Sequence, residues 1–165
     1  DGAYGAHDFR ALAGRAAVLT FDTAPRARNV EVIGAMRAEV YLQADAPDVD
    51  VYVKVLDVAP DGTAFNLMSP GLEVARASYR DPAKGRQLLQ PGRVYSLTLT
   101  DLYTANRFLA GHRLRVQVMG SFQPHFSLNL QTGESERTAS AMRAAHIVIR
   151  HDRAHPSRLV LPVAP

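Results

Sequence analysis

Three stretches of this chain alternate apolar and polar side chains with a period of two, a pattern that fits a β-strand with one face buried and the other in water. Met36, Ala38, Val40 and Leu42 fall on one face, with Arg37, Glu39, Tyr41 and Gln43 on the other. Leu114, Val116 and Val118 alternate in the same way with Arg113, Arg115 and Gln117, and Tyr95, Leu97 and Leu99 alternate with Ser96, Thr98 and Thr100. Further strands are expected at 18–21, 51–58, 72–77, 147–149 and 159–163, each rich in β-branched or aliphatic residues. Turn chemistry separates them at Ala59-Pro60-Asp61-Gly62, Ser69-Pro70-Gly71, Gln90-Pro91-Gly92 and Ala110-Gly111. About eight strands punctuated in this way imply an all-β, double-sheet sandwich. The alanine-rich stretch 134–145 reads as one or two helical turns or as a mobile loop. Residues 1–17 lack periodicity and read as a lead-in arm to a single domain over 18–165.

At 165 residues and 47% hydrophobic content, the chain can enclose one continuous core. Its net charge is +3, and the basic residues are scattered, which argues against a nucleic-acid partner. With no cysteine, disulfides, thiolate metal sites and cysteine nucleophiles are excluded. No apolar run approaches the roughly 18 residues of a spanning helix, so no membrane partner is expected. Composition leaves cytoplasmic and secreted locations equally open. The sequence starts at Asp1 rather than methionine, as a processed product or an excised piece would.

Catalytic machinery is hard to assemble from these residues. Serine hydrolysis needs a nucleophile on a strained turn, commonly Gly-x-Ser-x-Gly, and no such pentapeptide occurs; neither Ser69 nor Ser121 has the second glycine. The segment from His151 through Asp152 and His155 to Ser157 holds serine, histidine and acid together. Residues so close around Pro156 point largely apart, and the simpler reading is a loop whose polar side chains satisfy backbone groups. His151 and His155 have the i, i+4 spacing of helical metal ligands, but Pro156 and the strand-like flanks argue against a helix. Asp45, Asp48 and Asp50 gather carboxylates of the kind that ligate calcium. The segment lacks the glycine and terminal glutamate of an EF-hand loop, and the competing reading has these aspartates fixing the turn by hydrogen bonds. His112 reads as structural, and His7, His125 and His146 stand without obvious partners. No cofactor and no metal are expected.

A set of short strings in order resembles the non-catalytic C-terminal domain of the X-prolyl dipeptidyl-peptidase and cocaine-esterase-like serine hydrolases. Asp48-Val49-Asp50 leads into Lys54-Val55-Leu56-Asp57-Val58 and Pro60-Asp61-Gly62, followed by Gly71-Leu72 and Arg76-Ala77-Ser78-Tyr79-Arg80. Pro91-Gly92, Val94-Tyr95, Asp101-Leu102, Thr104-Ala105-Asn106 and Gly111-His112-Arg113-Leu114-Arg115-Val116 come next. His151, His155-Pro156-Ser157 and Leu159-Val160-Leu161-Pro162 close the set. The resemblance implies a galactose-binding-like jelly roll that follows an α/β-hydrolase domain, with the assembled enzyme an acyl hydrolase. The α/β-hydrolase domain is absent from this chain. One stretch departs from the family: where it has a serine-rich turn, Asn-Phe-Pro-Arg and an Asp-Arg pair, this chain runs Gly120-Ser121-Phe122-Gln123-Pro124-His125-Phe126-Ser127-Leu128-Asn129-Leu130 and is more apolar.

A module that packs on a catalytic domain needs surface that only assembly buries. Tyr41 stands on an otherwise polar strand face, beside the loop carrying Asp48 and Asp50, and Phe122, Phe126, Leu128 and Leu130 crowd a long loop. These regions are expected to lie on one side of the sandwich, contacting the catalytic domain or its cap and bordering the acyl-binding cleft. Alternatively, the phenylalanines plug an open end of the domain's own core. The same exposed surface also allows a homo-oligomer. A stand-alone carbohydrate- or ligand-binding jelly roll is the competing function, though the chain has no tryptophan and only 7% aromatic residues to serve as sugar platforms.

Overall fold

The computed structural model describes residues 5–67 and 72–165, so the expected turn at Ser69-Pro70-Gly71 lies outside the described residues. Among the described residues, nine strands form two antiparallel sheets. The first sheet runs β1 (Val18–Asp22), β7 (Arg113–Met119), β3 (Asp50–Val58) and β4 (Ala64–Asn66), with β5 (Leu72–Arg76) sharing the β3 edge with β4. The second runs β6 (Val94–Phe108), β2 (Val30–Ala44) and β8 (Ile147–Arg150), with β9 (Arg158–Val160) beside β8 on the same edge of β2. This is a jelly-roll β-sandwich.

The alternations set which faces meet. Val32, Met36, Ala38, Val40 and Leu42 of β2 pack with Val51, Val53 and Val55 of β3 and with Leu97, Leu99 and Leu102 of β6 in one buried cluster between the sheets. Opposite them on β2, Ile33, Tyr41 and Gln43 point outward. Along β6 the inward set shifts from Leu99 to Leu102, because the register with β2 slips between Met36 and Ala38. Thr100 and Asp101 sit in that bulge, and their amides donate to the Glu73 carboxylate at 3.1 and 2.8 Å. Burial pushes the Glu73 pKa up against the pull of these two bonds.

The outer face of the first sheet departs from a simple half-wet strand. Tyr52, Lys54 and Leu56 are all buried, although they alternate with the core-facing valines of β3. A roof explains this. Phe9 packs toward Leu56 and Val58, and Phe122 and Phe126 pack on Tyr52, Leu72 and Met119. Gln117, expected to face water, is therefore fully buried. Asp8 makes a β-bridge to Phe65, and a short 3-10 turn (Arg10–Gly14) continues the run toward β1.

Of the two readings of 134–145 the non-helical one holds, and two strand bounds need correction. No helix forms in 134–145; the only local turn there has the Thr138 and Ala139 amides donating to the Ser135 carbonyl. Alanines supply helical propensity, but this stretch is mostly exposed and lacks an apolar stripe to dock, so nothing repays nucleation. The strand expected over 159–163 is shorter and shifted, with only Val163 adding an isolated bridge to Val32. The strand over 72–77 ends at Arg76, where Ala77 begins a 3-10 turn.

Candidate interface and the network behind it

Tyr41 occupies the outer face of β2, between the core residues Val40 and Leu42. Its amide donates to Ser157 Oγ at 2.8 Å, and that hydroxyl in turn donates to the Arg150 carbonyl at 2.5 Å. Ser157 thus stitches the loop between β8 and β9 onto β2, and its hydroxyl serves two backbone groups rather than a substrate. Asp152 accepts the amides of Ala154 and His155 and meets His155 Nδ1 at 3.2 Å. The His155 ring then stands edge-on to Tyr41, with centroids 5.7 Å apart. Asp152, His155 and Ser157 therefore work as the loop-fixing set that the simpler reading anticipated.

Farther along β2 from Tyr41, the outer face is unusually apolar for a solvated sheet. Ile33 is 56% exposed, Tyr103 61% and Val160 39%. Tyr103 lies across from Ala35, and Val160 across from Arg37, so all three share this face with Tyr41. Ion pairs rim the patch: Glu39 with Arg158 at 2.6 Å and with Arg37 at 3.0 Å, and Glu31 with Arg107. Arg158, first by its hydrogen bond, holds the Glu39 carboxyl below its ordinary pKa.

Asp48 and Asp50 turn inward. The Asp48 carboxylate accepts the Ser78 amide at 3.1 Å and its hydroxyl at 2.7 Å, and Arg86 approaches at 3.4 Å. Asp50 receives Arg76 through Nε and Nη2, and the Asn129 side-chain amide at 2.9 Å. Asp50, first through its hydrogen bond, raises the Arg76 pKa. Arg76 also reaches Glu136 at 2.5 Å, tying the 134–145 stretch to β5. Asp45 accepts the His146 amide. These carboxylates clamp segments distant in sequence, and their oxygens are committed to cations and donors of the domain itself.

Phe122 and Phe126 are half-buried on the outer face of the other sheet. Phe126 meets the Tyr52 ring at 5.4 Å, Phe122 approaches Phe9 at 6.5 Å, and His125 stacks on Phe122 at 5.3 Å. The structure therefore separates the two regions expected to share one side: Tyr41 and the phenylalanine loop lie on opposite faces of the sandwich. The partners of two residues escaped the sequence reading. Lys54 is buried beneath that loop, its Nζ 3.7 Å from the Phe9 ring centroid, and burial lowers its pKa to about 8. His112 Nδ1 lies 2.8 Å from Asp57 Oδ1, a pair that joins the β6–β7 hairpin to the end of β3.

The fold and this geometry define a two-sheet antiparallel β-sandwich module. The X-Pro dipeptidyl-peptidase C-terminal non-catalytic domain matches residues 4–160, and the chain belongs to that family. It is 32% identical over 169 residues to the cocaine esterase of Rhodococcus sp. (strain MB1 Bresler), covering 99% of this chain and 28% of that protein. Among solved structures it is similar to an alpha-amino acid ester hydrolase, with a TM-score of 0.87 and 26% identity over 96% of this chain and 27% of that one. An aminopeptidase from the marine sediment archaeon Thaumarchaeota archaeon matches with the same TM-score and identity. The chain thus spans about a quarter of the length of these relatives.

Proposed function

We propose that this domain is the C-terminal jelly roll of an acyl hydrolase of the X-prolyl dipeptidyl-peptidase and cocaine-esterase type, packing on an α/β-hydrolase domain and bordering its active-site cleft. The observation that carries this reading is the outer face of the second sheet, which exposes Ile33, Tyr103 and Val160 farther along β2 from Tyr41 although the opposite face of the same sheet is already buried in the core. An apolar centre rimmed by ion pairs is how protein interfaces are built. Tyr41 lies on that same face beyond the Glu39 ion pairs, against the loop between β8 and β9. Asp48 and Asp50 support it from behind by fixing the loop that follows β2, while Phe122 and Phe126 offer a second, smaller contact on the opposite face. The relatives extend well beyond the matched part, which supports a partner for such a surface within one polypeptide.

The test is made in the full-length hydrolase carrying this domain, assayed against an activated acyl ester. Tyr41→Ala should shift KM or kcat severalfold, or loosen the domain in limited proteolysis, while the melting temperature of the 165-residue chain stays within about 2 °C of the parent. Unchanged kinetics and unchanged protease resistance for both Tyr41→Ala and Tyr103→Ala would refute it.

A further inference from the structure

One long side of the sandwich is not closed. Between β1 on one sheet and β8 and β9 on the other, two cavities of about 210 and 240 Å³ adjoin, sharing Phe21, Val116 and Leu159 in their walls. Val118 and Ile149 continue the wall at one end, and Phe108 closes the bottom of the other. The lining is overwhelmingly apolar, and Phe21 is 40% exposed at the mouth, where the His151 ring stands edge-on to it at 5.8 Å. From Leu114 to Val118 the slot follows roughly 13 Å of β7.

Uncommitted charge marks one end only; at the other, Glu39 and Arg158 in the lining pair with each other at 2.6 Å. Arg26 lines the second cavity, and Arg26 and Arg28 together line the shallow depression that continues from it past Val30. Among the described residues neither guanidinium has a hydrogen bond or ion pair. The nearby carboxylates are already neutralised: Asp22 by Arg115, at 2.7 Å through two bonds, and Glu31 by Arg107. A narrow apolar slot ending at two uncommitted cations matches an anion with an extended hydrocarbon tail.

We propose that this slot binds an amphipathic carboxylate, its unbranched aliphatic chain lying between the sheets against Phe21, Val116 and Leu159 and its head group on Arg26 and Arg28. The slot opens beside the surface carrying Tyr41, with Glu39, Ser157 and Arg158 on their shared edge, and does not rest on the hydrolase reading.

Calorimetric titration of the 165-residue chain with octanoate, decanoate and dodecanoate, each below its micelle threshold, tests it. The expected result is one site per chain, with affinity rising about tenfold for every two methylenes added, as apolar burial requires. Replacing both arginines, Arg26→Gln with Arg28→Gln, should weaken dodecanoate about fivefold or more and leave decanol unaffected. Both side chains are uncommitted, so that variant should melt like the parent. Phe21→Asp should abolish binding of every ligand in the series. Affinity independent of chain length, several weak sites per chain, or dodecanoate binding undiminished in the double arginine variant would each overturn the proposal.

Discussion

Arg76 lays two nitrogens on the Asp50 carboxylate, Nε at 2.8 Å and Nη2 at 3.0 Å, and Asp50 is only 4% exposed. The pair joins the start of β3 to the end of β5, and Asn129 brings the phenylalanine-bearing loop onto the same carboxylate. Removing one member of such a buried pair leaves the other charge without compensation. Arg76→Ala should therefore cost about 3 kcal/mol in urea denaturation, and Asp50→Asn about 2 kcal/mol or more. A loss under about 0.5 kcal/mol for Arg76→Ala would mean that Asn129 and water suffice to hold the carboxylate.

Lys54 gives the chain a distinctive alkaline response. Burial lowers its folded pKa to about 8 from 10.5, so above pH 8 the unfolded chain holds a proton that the folded chain has released. Stability contributed by this group therefore rises with pH between about 8 and 10.5. Lys54→Met should stabilise the domain at pH 7 by on the order of 1 kcal/mol, and the difference from the parent should shrink toward pH 10. Parallel stability curves for the two proteins between pH 7 and 10 would contradict this.

Gly62 closes the turn Ala59-Pro60-Asp61-Gly62 with φ at +88°, and its amide donates to the Ala59 carbonyl at 2.9 Å. Nothing lies within 4 Å of where a Cβ would project, so Gly62→Ala carries backbone strain without a clash. About 1 kcal/mol should be lost. An unchanged denaturation midpoint would show that the turn relaxes freely.

Ser157 separates a structural hydroxyl from a catalytic one. Ser157→Ala removes bonds to the Tyr41 amide and the Arg150 carbonyl, and should lower the melting temperature by about 4 °C. The parent chain should hydrolyse a p-nitrophenyl acyl ester no faster than buffer does, and the variant should match it. Turnover lost on this substitution would make Ser157 a nucleophile.

The sandwich was readable wherever one sheet face meets the core and the other meets water. Met36 to Leu42 show their alternation because Tyr41 and Glu39 remain on the outer surface. The rule failed for Gln117 and Lys54, whose polar identity suggested solvent. Their roof comes from Phe9 and Phe122, neither of which lies in a neighbouring strand, and no period-two pattern encodes such a cover. Tyr41 could be singled out as an outward aromatic. That it sits on the opposite sheet from Phe122 depends on which strands pair, and local sequence does not specify it. Asp48 and Asp50 looked like turn or metal ligands because their partners, Ser78 and Arg76, lie far along the chain. The slot beside Phe21 was hidden for the same reason, since β1 faces β9 across the full length of the sequence.

The interrupted borders of the two sheets bear on how the domain behaves at high concentration. Beside β3 the border is divided between β4 and β5, and beside β2 between β8 and β9, so neither offers a long row of open amides. The 15-residue β6 is the long exception, and Glu73 occupies the amides of its bulge. A neighbouring molecule seeking to extend either sheet finds only short purchase, which disfavours ribbon-like aggregation. Because burial raises the Glu73 pKa, mild acid protonates this carboxyl sooner than a solvated glutamate and weakens its hold on the bulge. Acidic storage is thus the condition under which the bulge amides of β6 lose part of their cover.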